Sequence, residues 1–130
     1  MFLYLRILLI LFVIVFLTNC QNDPYKHGAI LYENFCSNCH GMDGNGLGKN
    51  IPPLVGSHYL NEPIKMGCII RNGISGEIEV NGVKYNEKMP PVEKLSDYEI
   101  ANVINFILQK WGNQKYVQIN HLQDGFKNCK

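Results

Sequence analysis

The sequence Cys36-Ser37-Asn38-Cys39-His40 brings two thiols and an imidazole into five consecutive positions. A C-x-x-C-H sequence is typical of covalent c-type haem attachment, with one thiol for each vinyl group of the porphyrin and the histidine placed to ligate the iron. From five Cys and four His in 130 residues, only about 0.006 chance occurrences of this pattern are expected. We therefore predict one covalent haem c with its iron, bound through Cys36, Cys39 and His40.

Two other uses of paired cysteines remain open. A thioredoxin-like redox motif requires a βαβ setting, and the sequence around Cys36 does not resemble a strand that leads into such a helix. A zinc knuckle or ribbon requires a second pair of ligands, whereas Cys68 and Cys129 stand alone in the sequence. Both alternatives explain less of the sequence than haem does.

The N-terminal residues are organised like an export signal. Residues 7–17 form an unbroken apolar run of 11 residues, which is long enough for a signal peptide and shorter than the ~20 residues that span a bilayer. The run ends in Leu17-Thr18-Asn19-Cys20, which resembles the lipobox of bacterial lipoproteins with Asn in place of a small residue. We expect residues 1–19 to be a lipoprotein signal peptide and Cys20 to carry the lipid. An uncleaved anchor and ordinary secretion are the alternatives, and all three export the chain.

Length and charge indicate one small exported domain. We assign residues 20–23 to a linker, 24–112 to the domain and 113–130 to a C-terminal tail. The chain carries 12 basic and 11 acidic residues. Arg6 is the only charged residue in the predicted signal peptide, so the chain without it is close to neutral. This composition excludes a broad basic surface for nucleic acid. Docking to redox partners would rely on local patches.

Two cysteines remain after lipid and haem are assigned. In an oxidising compartment Cys68 and Cys129 could form a disulfide that ties the tail to the domain. The alternative is that Cys68 is a small buried hydrophobic residue and Cys129 a free thiol near the terminus.

Helix signals recur along the domain. Asp23-Pro24 is typical of a helix start, and that helix should run to about Phe35. Asn61-Glu62-Pro63 opens a second helix that ends before Gly73, with an apolar face made of Ile64, Met66, Cys68 and Ile69. Ser96 and Glu99 form a capping box that opens a third helix, which ends at Gly112 and has apolar residues at helical spacing.

Two further elements are indicated by local signals. Asn81-Gly82 lies between alternating segments and predicts a two-residue type I′ hairpin within residues 76–85. In the tail, Asn120 is a candidate start for one more short helix.

Met89 is the candidate for the second axial ligand of the iron. It lies in a polar, proline-bounded loop with no helical periodicity that would bury it, whereas Met66 has the pattern of a core residue. Met42 is too close to His40 in sequence to reach the other side of the haem. The alternative ligands are the remaining histidines, which are more typical of surface positions: His27, His58 and His121.

Motifs in residues 24–112 resemble those of class I cytochromes c. Gly28 and Tyr32 precede Cys36 by eight and four residues, as in the N-terminal helix of that family. Pro52-x-Leu54 follows His40, and Met89-Pro90 follows at family spacing.

The resemblance implies an all-α cytochrome c fold, with the hairpin as an insertion. It implies that Gly28 and Tyr32 meet the C-terminal helix, for which Val103 and Phe106 are the candidates. It also implies that the carbonyl of Pro52 accepts a hydrogen bond from His40, a role that Pro53 could take instead, and that Met89 ligates the iron.

A six-coordinate haem of this kind has no vacant position for a substrate. The resemblance therefore implies an electron carrier, and not an enzyme, that passes single electrons between membrane oxidases or reductases at the bacterial cell envelope. A lipid on Cys20 would hold it at the periplasmic side of a membrane. Two alternatives remain: a haem c subunit of an enzyme complex, and a sensor or peroxidase in which Met89 is not bound.

Overall fold

The computed structural model describes residues 4, 6–10, 12, 23–113 and 116–129. From residue 23 onward the elements are α1 (Lys26–Phe35), α2 (Ser37–His40), a 3₁₀ helix (His58–Asn61), α3 (Pro63–Asn72), β1 (Ile78–Val80), β2 (Val83–Tyr85), α4 (Asp97–Trp111) and α5 (Ile119–Phe126). This is the predicted architecture of helices with one hairpin. Nearer the N-terminus, residues 4, 6–10 and 12 are helical and exposed, and the expected lipidation site Cys20 lies outside the described residues. No helix in the described ranges has both the length and the apolar character needed to span a bilayer.

The crossing of α1 and α4 forms the centre of the fold. A Cβ atom added to Gly28 would lie 2.1 Å from the carbonyl oxygen of Asn102 and 2.9 Å from Cβ of Phe106. The ring centroids of Tyr32 and Phe106 are 5.4 Å apart. The expected role of Phe106 is thus confirmed. The backbone of Asn102 also lies against Gly28, and Val103 is buried in the same core cluster as Tyr32.

Helix α1 begins later than the sequence predicts. Its first residue is Lys26 and its N-cap is Tyr25, which makes no side-chain capping bond. The side chain of Asp23 accepts a hydrogen bond from the backbone N–H of Tyr25, with 2.9 Å between N and Oδ1. Asp23 therefore closes a turn before the helix, as Asp side chains commonly do two residues before the N–H they bind.

Helix α3 follows its predicted bounds, and its buried residues match the prediction in part. Its fully buried members are Met66, Gly67 and Ile70, whereas Cys68 and Ile69 are half-buried. The C-cap Gly73 has a φ of 74°, a conformation that favours glycine. The burial is divided between two sides because α3 packs on an apolar cleft and on the C-terminal tail at the same time.

The hairpin and α4 have the predicted local chemistry. Asn81 and Gly82 have φ values of 53° and 77°, and Val80 pairs with Val83 across the two-residue turn, as a type I′ turn requires. At the start of α4, Ser96 and Glu99 form the reciprocal bonds of a capping box. The helix ends at Trp111 with Gly112 as its C-cap.

The C-terminal tail packs against the body of the protein. Helix α5 begins at Ile119, one residue before the predicted start, and buries Leu122 and Phe126 completely. Buried Asn105 holds the chain before α5, because its amide nitrogen donates to the carbonyl of Val117 and its amide oxygen accepts from the N–H of Val117. Cys68 and Cys129 form a disulfide, with 5.2 Å between their Cα atoms. A free terminal thiol at Cys129 is thereby excluded.

Candidate functional site

A deep apolar cleft lies between α2, α3 and the hairpin. Most of the side chains that line it are apolar, as is common for cofactor sites. Its walls include Met66, Ile70, Ile78, Val80 and Ile107, and five residues predicted from the sequence also line it: Cys36, Cys39, His40, Pro52 and Met89.

Cys36, Cys39 and His40 share one face because the chain turns once as a helix. The backbone N–H groups of Cys39 and His40 both donate to the carbonyl of Cys36, at 3.1 and 2.9 Å. Residues spaced i, i+3 and i+4 lie on the same side of a helix. The turn is fixed to α1 by the hydroxyl of Ser37, which donates to the carbonyl of Glu33 at 2.7 Å. Two thiols and one imidazole are therefore presented together.

The two thiols are free, and their surroundings differ. Cys36 is buried and Cys39 is exposed. Burial, with a smaller contribution from neighbouring Cys39, raises the pKa of the Cys36 thiol to about 12. This direction is opposite to that of the cysteine of a reactive redox centre, whose pKa is depressed.

The imidazole of His40 is oriented by Pro52. Its Nδ1 lies 3.3 Å from the carbonyl oxygen of Pro52, and since a carbonyl can only accept, Nδ1 carries the hydrogen. Burial lowers the pKa of His40, while the bond to Pro52 opposes that shift. The neutral ring therefore has its free lone pair on Nε2, the form that ligates a metal ion.

The loop that carries Pro52 is held by the backbone and by Tyr32. The N–H of Leu54 donates to the carbonyl of Gly44 at 2.7 Å. The hydroxyl of Tyr32 donates to the carbonyl of Gly41 at 2.6 Å, immediately after His40. The sequence indicates Tyr32 only as a helix-crossing residue, because a hydroxyl that reaches nine residues ahead leaves no local pattern.

Met89 enters the cleft from the segment between β2 and α4. Its N–H and carbonyl both bond to Ile74, at 3.0 Å each, so its backbone is attached to the second residue after the end of α3. The chain's other histidines, which are exposed and absent from the cleft wall, are His27, His58 and His121. Met66 is buried and also lines the cleft. Helical periodicity predicts only that it is a core residue.

These groups fit a covalent haem. Two free thiols, a neutral imidazole and a thioether meet at one cleft whose walls are apolar. The rival zinc site fits less well, since no three His, Cys, Asp or Glu side chains gather within the part of the chain that the structure describes. The thioredoxin-like alternative fits less well too, because the element before Cys36 is helix α1 and not the β-strand of a βαβ setting.

Comparison with known proteins gives the same result. Residues 25–111 match the protein family described as cytochrome c. Cytochrome c-552 of Thermus thermophilus is 38% identical over 97 residues, which cover 70% of this chain and 72% of that protein.

Two subunits of dehydrogenases are also similar. The cytochrome c subunit of alcohol dehydrogenase (quinone) from Gluconobacter oxydans is 33% identical over 90 residues, covering 66% of this chain and 18% of the subunit. The gluconate 2-dehydrogenase cytochrome c subunit of Pantoea cypripedii is 31% identical over 98 residues, covering 72% of this chain and 22% of the subunit. The chain thus spans about a fifth of the length of these dehydrogenase subunits.

The matched region runs from the start of α1 to the end of α4 and includes every residue of the predicted haem site, whereas α5 lies beyond it. The chain belongs to the cytochrome c family, as a class I cytochrome with one covalent haem c that transfers electrons.

Proposed function

We propose that Cys36 and Cys39 bond the haem, that His40 and Met89 are the axial ligands of its iron, and that the protein carries single electrons between membrane redox complexes at the bacterial cell envelope. The observation that supports this most is the meeting of these four side chains at one apolar cleft. The carbonyl of Pro52 holds the ring of His40 in the ligating orientation.

The chain's own residues determine what this haem can do. The haem supplies an iron that alternates between Fe(III) and Fe(II). With His40 and Met89 on the iron, no position remains for a substrate, so the reaction is outer-sphere electron transfer. Thioether ligation and the apolar wall formed by Met66, Ile70 and Val80 both disfavour the ferric charge. We therefore expect a reduction potential above that of a bis-histidine haem.

The location of the carrier follows from the N-terminal residues. A signal peptide over residues 1–19 would deliver the chain to the compartment in which bacteria attach haem c. A lipid on Cys20 would keep it near membrane oxidases or reductases and raise its local concentration there. Metabolic labelling with a fatty acid tests this proposal: label should enter the wild-type protein and should be absent from a Cys20→Ala variant.

The ligand assignment predicts the spectrum of a Met89→Ala variant. The oxidised wild-type protein should show the far-red charge-transfer band of a methionine bound to ferric iron. The variant should lose this band, and its potential should fall, because the thioether that favours the ferrous state is gone. Absorption spectra of the purified, haem-loaded protein and a redox titration measure both quantities.

Met66→Leu is the matched control, since Met66 is the other methionine in the cleft wall and leucine has a similar volume. It should keep the band. A Met89→Ala protein with the wild-type spectrum and potential would show that the assignment of Met89 is wrong. A wild-type spectrum without the band at neutral pH would favour the sensor or peroxidase alternative.

The similarity to dehydrogenase cytochrome c subunits supports a second candidate. In that case the protein is the electron-entry subunit of an enzyme complex. Affinity purification from solubilised membranes separates the two: a catalytic dehydrogenase subunit recovered in stoichiometric amount favours the subunit, and its absence favours the free carrier.

A further inference from the structure

Helix α3 makes contacts on two faces. One face lines the haem cleft with Met66, Ile69 and Ile70. The other contacts the C-terminal tail through Gly67 and Cys68: a Cβ added to Gly67 would lie 2.0 Å from the ring of Phe126. A disulfide joins Cys68 to Cys129 just beyond that ring. Any movement of the tail relative to α3 therefore acts on a helix that forms a wall of the cleft.

Arg71 connects three elements at the same place. Its Nη1 donates to the carbonyl of Phe126 at 2.9 Å, which ties α3 to the tail. Its Nη2 forms an ion pair with the carboxylate of Asp97 in the first turn of α4. The guanidinium carbon also lies 5.5 Å from the centroid of the Phe126 ring. We name residues 117–129, together with the Cys68–Cys129 disulfide and the Arg71 contacts, the C-terminal clamp.

The end of α3 carries the backbone of Met89. Gly73 and Ile74 directly follow the helix, and Ile74 exchanges two backbone hydrogen bonds with Met89 at 3.0 Å. The N–H of Val92 donates to the carbonyl of Ile70 at 2.9 Å. A side chain at Gly73 would lie 2.6 Å from the carbonyl oxygen of Met89, so the approach is close. The position of Met89 is thus set by the position of α3.

We propose that the C-terminal clamp positions Met89, with Arg71 and the Cys68–Cys129 disulfide as positioning residues for the distal side of the haem. The clamp holds α3 in place, and α3 holds the Met89 segment against the cleft. This inference rests on the proposed role of Met89 as an iron ligand. Breaking the clamp loosens Met89 while the haem stays attached through Cys36 and Cys39.

Opening the disulfide is a two-electron exchange with a dithiol. The dithiol's two sulfurs end in a disulfide of their own, and Cys68 and Cys129 each become a thiol. Both cysteines are half-buried, so a small reductant can reach them. A thioether bond to haem contains no S–S bond and is not cleaved in this exchange.

Imidazole added to the haem-loaded protein measures how firmly Met89 is held. It competes with Met89 for the iron, so its apparent affinity rises with the fraction of molecules in which Met89 is detached. The protein is reduced with a dithiol, alkylated with iodoacetamide and re-oxidised at the haem with ferricyanide before the titration. We expect about tenfold tighter imidazole binding than in the intact protein. A Cys68→Ala/Cys129→Ala variant should show the same increase in imidazole affinity. If that variant does not fold, the reduced and alkylated wild-type protein is sufficient for the test.

Charge variants test Arg71 separately. Arg71→Met should tighten imidazole binding. Lys84→Met should not, although it also removes a cation and an ion pair, here the exposed pair with Glu77 outside the clamp. In a Met89→Ala background, opening the disulfide should change imidazole affinity less than about twofold, since nothing remains to be released.

The outcomes separate the two proposals. If Met89→Ala tightens imidazole binding but the opened disulfide and Arg71→Met do not, the clamp proposal is overturned and the ligand assignment stands. If Met89→Ala itself leaves imidazole affinity unchanged, Met89 is not the ligand, and the proposed function fails together with the clamp.

Discussion

At the scale of the residue, Gly28 sets the distance between α1 and α4. A methyl group there would meet the carbonyl oxygen of Asn102 at 2.1 Å, and a helix backbone cannot move aside as a flexible side chain can. We expect Gly28→Ala to lower the free energy of unfolding by about 2–3 kcal/mol, although alanine has the better helix propensity by about 1 kcal/mol. Urea unfolding of the haem-loaded protein, followed by circular dichroism, measures the change. Exposed Glu33→Ala on the same helix should stay within about 0.5 kcal/mol of wild type, and an equally small effect at position 28 would contradict the close approach.

The residues of the candidate site could be proposed from the sequence because their chemistry depends on spacing along the chain. Cys36, Cys39 and His40 form a continuous motif, and Pro52 and Met89 follow at distances that the resemblance to cytochromes c supplies. The hydroxyl bond of Tyr32 and the contact of Gly28 with the Asn102 carbonyl depend on three-dimensional placement. For these, the sequence indicates the position and not the partner.

At the scale of the element, the capping box determines how α4 begins. The hydroxyl of Ser96 accepts from the N–H of Glu99 at 3.4 Å, and the Glu99 carboxylate accepts from the N–H of Ser96 at 2.8 Å. We expect Ser96→Ala to cost about 1 kcal/mol of stability, measured by the same urea unfolding. Ser75→Ala is the control, because Ser75 is exposed and lies between α3 and β1. A Ser96→Ala protein as stable as the control would show that the bonds of this cap contribute nothing net.

Elements were predictable where local chemistry decides them. The Asn81-Gly82 turn and the Ser96 cap each depend on the backbone conformation of a few residues, and both were predicted correctly. The start of α1 was predicted wrongly because Asp23 can cap a helix or close a turn with Tyr25, and the sequence is compatible with both. The buried residues of α3 were predicted in part: Met66 is buried as expected, whereas the burial of Gly67 depends on the tail, which could not be placed from the sequence.

At the scale of the whole molecule, the tail becomes part of the fold through contacts remote in sequence. Leu122 and Phe126 are one helical turn apart and completely buried, but two apolar residues do not reveal which surface covers them. Part of that surface is Gly67, whose missing side chain leaves room for the Phe126 ring. The all-α fold around the haem could therefore be predicted from the sequence, and the docking of its last helix could not.

The disulfide should then be a main source of the stability of the whole molecule. Cys68 and Cys129 are separated by 61 residues, and a cross-link over a loop of that length restricts the unfolded chain by about 4 kcal/mol. We expect Cys68→Ala/Cys129→Ala to lower the free energy of unfolding by about this amount, measured with guanidinium chloride on haem-loaded protein. Wild-type protein unfolded in the presence of a dithiol should have the same free energy of unfolding as the variant, provided that the haem iron is ferrous in both samples. A loss below about 1 kcal/mol in both samples would mean that the buried contacts of Leu122 and Phe126, not the covalent bond, hold the tail.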